Sequence, residues 1–293
     1  RSSLWSFNFG SINSTSGEWK PNPSPTIDYS STGNNSFHMK FEDASNLDLD
    51  SGGNNLTFST TGSPTQTLDC PSNNFACING LAQGTYNLTL TTGNNTVYCT
   101  DNAWRSAFST FAPSTGKYYF EVKRVGSSPY MWVGIIDQSQ LSGTVGDPVV
   151  EKVKVLPPLS KSKLLASQLS GTVGISELQT VTRGYAYKAS GEKGNSSSVA
   201  SWGNAYAQND IVGCALDFDN GKIYFSINGV WQNSGDPTSG STGTGSMYDL
   251  ASGYNYLIGT SLYSTSAGAS FNFGQGYFGT TAVASAGTNA SGN

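Results

Sequence analysis

A chain of 293 residues with 12% charged side chains and a net charge of −4 lacks the clustered Lys and Arg that duplex DNA demands. No apolar run approaches the ~20 residues of a membrane-spanning helix, and 12% aromatic content excludes global disorder. Abundant Ser, Thr, Asn and Gly with almost no helical periodicity describes an all-β protein with many turns. The chain starts at Arg1 without Met, as a fragment or processed product would.

Residues 1–78 are polar and turn-rich. Ser36–Phe41 alternates and reads as one strand, and Leu56–Phe58 as another. Pro21, Pro23 and Pro25 are expected to exclude regular structure between Lys20 and Ile27. Few large apolar side chains are present to offset an ordering cost of ~1–2 kcal/mol per residue. The segment is therefore expected to be ordered by packing on something else. Cys70 and Cys77 bracket Pro71–Ala76; a disulfide-closed loop and a pair of free thiols both stand open.

From residue 79 the strand signals thicken. Thr85–Leu90 and Asn95–Cys99 read as a hairpin about Thr92-Gly93-Asn94. Gly116–Val125 is the next strand, with Tyr130–Ile136 as its expected partner across a Gly126–Pro129 turn. QLSGTVG then occurs twice without change, at 140–146 and 168–174. The spacer Asp147–Ser167 carries Lys152, Lys154, Lys161 and Lys163, and Leu159–Leu169 has a short helical pattern. One copy plus the spacer reads as an insertion into a loop of the domain.

Asp210–Trp231 is the densest strand signal. Ile211–Phe218 is nearly all apolar, Asp219-Asn220-Gly221 supplies the turn, Ile223–Ile227 returns, and Asn228-Gly229 turns again. Cys214 falls on the Val212/Leu216 face as a small core residue. Residues 232–253 read as a loop, Tyr254–Leu262 and Ala269–Phe273 as closing strands, and 280–293 as a frayed tail.

Little in the chain suits catalysis. His38 is the only histidine, so a nucleophile–His triad has one possible base, far from the strand motifs. Asp217 and Asp219 could share a strand face, but Asp219 opens a turn where its carboxylate can bond the backbone. Calcium would find carboxylates there or at Asp43, Asp48 and Asp50, without a twelve-residue EF-type loop. The expectation is no catalytic residue, no metal and no cofactor. Contact residues are expected among the loop aromatics Tyr130, Trp202, Tyr206, Tyr248 and Tyr254, while Trp132 and Trp231 are assigned to the core.

The hairpin at 210–231 resembles the central hairpin of SPRY domains. GKYYFEV at 116–122, WVGII at 132–136, GYAY at 184–187 and FNFGQ at 271–275 follow that family's order. The resemblance covers about 105–277. It implies an antiparallel β-sandwich of jelly-roll type that binds partners through loops, spanning 79–279 with the insertion at about 140–174. A second resemblance lies in GEWKP at 17–21, GNNSFHMKFED at 33–43, DSGGNNLTF at 50–58 and DCPSNNFA at 69–76. These resemble the linker of virion structural proteins of tailed, chiefly marine, phages. There the linker joins an upstream lectin-like domain to a SPRY-like sandwich.

Together they imply a non-enzymatic virion protein, a fibre, appendage or capsid-surface component. Its partners would be other virion proteins, copies of itself and host surface glycans, with no nucleic acid and no membrane insertion. An adaptor binding a peptide is the alternative. A glycan hydrolase is the least supported, because the Glu-x-Asp-x-x-Glu pattern of lectin-fold glycosidases is absent.

Overall fold

The computed structural model describes residues 10–12, 19–21, 36–41, 43, 45–52, 54, 56–62, 75–80, 87–141, 175, 177–279 and 281–283. The chain divides into two compact units, Arg1–Phe75 and Ala76–Asn293.

In the first unit β1 (Gly10–Ile12) pairs antiparallel with β2 (Trp19–Pro21), so regular structure extends through Pro21, the edge position a proline tolerates. The two strands expected at 36–41 and 56–58 are instead single bridges, Met39 to Asp50 and Leu49 to Thr57. The reason is a buried carboxylate. Asp50, 3% exposed, accepts backbone N–H bonds from His38, Gly52 and Leu56, which wraps the chain around one acceptor. Phe41, at φ 56°, ends any extension of the first stretch.

The second unit is an antiparallel β-sandwich, as the sequence implied. Its strands are β3 (Leu88–Thr91), β4 (Thr96–Cys99), β5 (Arg105–Phe108), β6 (Lys117–Arg124), β7 (Met131–Asp137), β8 (Gly184–Lys188), β9 (Glu192–Asn195) and β10 (Ser198–Ser201). They continue with β11 (Ile211–Asp217), β12 (Lys222–Ile227), β13 (Val230–Trp231), β14 (Tyr248–Asp249), β15 (Tyr256–Leu262), β16 (Gly268–Asn272), β17 (Tyr277–Phe278) and β18 (Thr281–Ala282). A six-stranded sheet runs β10-β9-β8-β7-β15-β5. An eight-stranded sheet runs β13-β12-β11-β6-β16-β4-β3, with β14 also on β12.

The β11–β12 hairpin forms where the apolar run and turn chemistry placed it, with Val212 opposite Ile227 and Asp217 opposite Lys222. Asp217 caps the turn by accepting the Asn220 N–H at 3.0 Å, and Gly221 supplies φ 63°. Asp219 also bonds backbone, but reaches back to the Gly116 N–H at 2.8 Å. Asn228 and Gly229, both left-handed at φ 48° and 82°, make the tight turn into β13.

Three expectations are corrected. Tyr130–Ile136 does not pair with Gly116–Val125. Strand β6 already has β11 and β16 on its two edges, and β7 lies in the other sheet between β15 and β8. The connection is pinned to the β15–β16 turn: Val125 and Gly126 N–H both reach the Gly268 carbonyl, and Ser128 N–H reaches Ser266. A Cβ at Gly126 would sit 2.3 Å from that turn's backbone, so only glycine passes. The 232–253 loop carries a strand, β14, paired with Lys222 and Ile223. The tail expected to fray from 280 begins with β18, which pairs back on β17. Residues 284–293, the repeated QLSGTVG motifs beyond Leu141, their spacer and its helical stretch lie outside the described residues.

The core between the sheets takes alternate residues from each strand. Phe120, Val122, Val212, Cys214, Leu216, Ile223, Phe225 and Phe271 meet Met131, Val133, Ile135, Tyr187, Tyr256 and Ile258. Each large buried side chain contributes ~1.5–3 kcal/mol relative to exposure. Strand β7 is buried at every position. Its other face, Trp132 and Ile136, joins Phe108, Leu178, Ala186 and Leu257 in a second cluster. The 3-10 turn Leu178–Thr180 closes that cluster, with the Leu178 N–H on the Ser261 hydroxyl at 2.9 Å and the Trp132 indole N–H on Glu177 at 3.1 Å. Strands β7 and β15 at the middle of the six-stranded sheet are thus covered on both faces.

Candidate ligand-binding face

The eight-stranded sheet is committed to the core on one face only. Its other face reads in cross-strand rows fixed by register. One row runs Trp231, Ser226, Gly213, Glu121, Asn272; the next runs Tyr224, Ala215, Tyr119; the third runs Asp249, Lys222, Asp217, Lys117. Gly213 and Ala215 lie at the centre, so the middle of the face is nearly bare backbone. Tyr119 leans over it: a Cβ at Gly213 would come within 2.5 Å of the Tyr119 hydroxyl and the Ser226 Oγ.

Tyr119 is 52% exposed, and its ring meets Trp231 edge-on at 6.4 Å. The Tyr119 hydroxyl donates to Glu121 Oε1 at 3.0 Å, and Asn272 Nδ2 donates to Oε2 at 3.0 Å. Loss of water around the phenol oxygen, then the Glu121 charge beside it, push Tyr119 well above its ordinary pKa. It therefore stays a neutral donor. Beside this ring lies a shallow hollow of about 250 Å³, walled by Lys117, Tyr119, Ala215, Asp217, Tyr224 and Pro237.

Asp217 shapes the rim of the hollow. Its Oδ2 accepts from Lys117 Nζ and from Asn220 Nδ2, both at 2.8 Å. Burial opposes its charge, but these bonds and the Asn220 N–H outweigh it, and the carboxyl titrates below the usual range. Asp217 and Asp50 each accept three hydrogen bonds, with a donor on each oxygen, so both are filled as structural acceptors. Among the described residues no three His, Cys, Asp or Glu side chains converge as a metal set.

The loop aromatics singled out from the sequence do not form one site. Tyr130 is 50% exposed and packs with Trp104 and Tyr263, at 6.5 and 5.6 Å, at one end of the sandwich. Tyr248 and Tyr254 lie at the opposite end. Tyr248 stacks obliquely on Tyr185 at 5.5 Å, and Tyr254 lies 4.0 Å under Arg183, which pairs with Asp137 at 2.6 Å. Trp202 is half-buried, edge-on to Tyr187 at 5.3 Å. Tyr206 is 1% exposed and its hydroxyl bonds the Met131 and Tyr187 carbonyls, so it is a core residue rather than a contact.

Trp231, assigned to the core, instead stands half-exposed on the outer face; Trp132 is buried as expected. Cys214 and Cys99 are buried, and burial pushes both thiols up. Cys70 lies outside the described residues, so a Cys70–Cys77 bridge has no geometry to report.

Sequence reasoning missed Tyr119 and Glu121, although the signal was present. In KYYFEVKR the positions alternating with Phe120 and Val122 are Lys117, Tyr119, Glu121 and Lys123. An aromatic in the polar phase of a strand is a surface aromatic.

Residues 117–252 match the family model of the SPRY domain. Among solved structures, the SPRY domain of human HERC1 is similar over 68% of this chain and 98% of that one, at 11% identity and a TM-score of 0.45. No curated protein matches.

Proposed function

We propose, with the SPRY match of residues 117–252 as premise, that this chain is a non-enzymatic binding module and that its partner sits on the outer face of the eight-stranded sheet. SPRY domains are commonly protein-interaction modules. The observation that carries the reading is the half-exposed Tyr119 ring held over the bare Gly213–Ala215 floor, with Trp231 perpendicular to it. A flat aromatic beside neutral donors and one held carboxylate suits another protein's surface or a sugar ring.

The biological setting we propose is a phage virion, as a fibre, appendage or capsid-surface component attached to other virion proteins and copies of itself. Support for that setting is the linker-like series between residues 17 and 76. Host surface glycans are the candidate ligand on that reading, and a peptide partner on the adaptor reading.

The test is a glycan array run beside a peptide library, followed by titration of whichever ligand is found. Truncating a central aromatic anchor costs about 2 kcal/mol, roughly thirtyfold in affinity. Tyr119→Ala and Trp231→Ala should each produce a loss of that size without unfolding the protein. Unchanged affinity in both variants sinks the assignment of the face.

A further inference from the structure

The six-stranded sheet ends at β10, and among the described residues nothing covers that edge. Ser198–Ser201 are all exposed, Val199 at 44%. The β9–β10 hairpin turns through Ser196 and Ser197, both left-handed at φ 52° and 61°. Such a turn normally uses Asn-Gly, so two serines there are strained. The strain is held by the neighbouring segment: Ser196 N–H bonds Val181, Ser197 N–H bonds Gln179, and Ser197 Oγ bonds the Thr180 carbonyl. The strand is therefore presented in a fixed pose.

In a two-residue hairpin the flanking residues, here Asn195 and Ser198, exchange hydrogen bonds, and the pattern alternates from there. Val199 and Ser201 consequently aim N–H and C=O away from β9. Proteins blunt such edges with charge, proline, bulges or cover. From Gly194 to Asn209 the chain has no Asp, Glu, Lys, Arg or Pro. The opposite edge of the same sheet is managed. Strand β5 begins at Arg105, paired with Asp101, and its far end is covered by Asn79 N–H on the Phe108 carbonyl and an Ile78–Ser109 bridge.

We propose that β10 pairs antiparallel with β10 of a second copy of this chain about a two-fold axis, fusing two six-stranded sheets into one. A two-fold axis sets each side chain near its own copy, so an edge bearing charge would repel itself; this one bears none. In the register that sets Val199 opposite Ser201 of the second copy, the outward N–H and C=O groups exchange bonds on both sides of the axis. Ala200 then faces its own copy at the axis, where non-hydrogen-bonded pairs approach most closely. A small side chain belongs there.

The test is sedimentation equilibrium of the full chain over rising concentration. The expected mass is twice that of one chain. Val199→Lys and Ser201→Pro should each return it to one chain, with Val199→Lys still unfolding in one cooperative transition because Val199 lies outside the core of the single chain. Ala200→Cys should cross-link into a covalent dimer under mild oxidation, since facing non-hydrogen-bonded positions meet disulfide geometry; Ser198→Cys should cross-link no more than the parent chain. A single-chain mass throughout overturns the proposal, including when β10 captures an unrelated peptide. So does a dimer that survives both edge variants, or one in which Ser198→Cys links and Ala200→Cys does not.

Discussion

Asp217→Asn is the substitution that most directly separates a structural carboxylate from a catalytic one. Asp217 accepts three hydrogen bonds: Asn220 N–H on Oδ1, and Lys117 Nζ and Asn220 Nδ2 on Oδ2. An amide there can keep one oxygen as acceptor, but its nitrogen then confronts at least one donor. Asn220 can turn its own amide to offer an oxygen, whereas the Lys117 ammonium can only withdraw into water. The Lys117 side chain is 55% exposed, so water screens the ion pair and its loss adds little. The larger loss is in the charge-assisted bonds from Asn220, ~1.5–3 kcal/mol when charged and about half that when neutral. The sum is about 2 kcal/mol, or roughly 4–8 °C in midpoint for a domain near 200 residues.

The pH dependence gives the sign. A carboxyl held below its unfolded value contributes stability that is fully present above about pH 3.9 and is lost as the pH falls through the lowered folded value. The gap between parent and variant should therefore be full at neutral pH and close in acid. Thermal unfolding followed by tryptophan fluorescence at several pH values measures it. Equal midpoints at neutral pH, or a gap that widens in acid, would refute the reasoning. Polysaccharide turnover abolished by the same substitution would overturn the non-enzymatic reading as well.

Gly134→Ala should abolish the folded sandwich, because the added Cβ would lie 2.0 Å from the Tyr185 carbonyl oxygen between β7 and β8; soluble yield and circular dichroism report it. Asp101, held to about 2 chiefly by its Arg105 bond and then by Asn87, should keep stabilising the β4–β5 connection until the pH falls from about 4 towards 2. Asp101→Asn should narrow that acid range, read as a higher pH midpoint of acid unfolding. Deleting residues 147–174 should leave one cooperative thermal transition, because Leu141, in the first repeat, and Ile175, directly after the second, both pack on the second cluster. Loss of the transition would make the insertion part of the core.

The fold was legible wherever strand chemistry was local. Val212, Cys214, Leu216 and the Asp-Asn-Gly turn specify the β11–β12 hairpin without help from the rest of the chain. The β6–β7 connection was not legible, because a Gly-Ser-Ser-Pro stretch suits a hairpin as well as a crossing between sheets. What decides is Gly268 and Ser266, some 140 residues away, accepting the N–H groups of Val125, Gly126 and Ser128. The surface aromatics were hard to read for a related reason. Loop position predicts exposure only when the loop does not fold inward, and Tyr206 follows a loop back between Met131 and Tyr187. Tyr119, inside a strand, escaped notice because strand membership was equated with burial.

The sandwich is unequal in what it leaves open to change. Strands β7 and β15 are enclosed on both sides, so a substitution at nearly any of their positions must find room among packed neighbours. On the other sheet, positions 119, 121 and 272 sit on the far side from the core and are open or partly open to water, so changing them disturbs no packed core side chain. On the proposed reading, selection can therefore rewrite the exposed positions of the binding face one residue at a time while the scaffold beneath it stays silent. Two lineages could share every core side chain and bind unrelated partners.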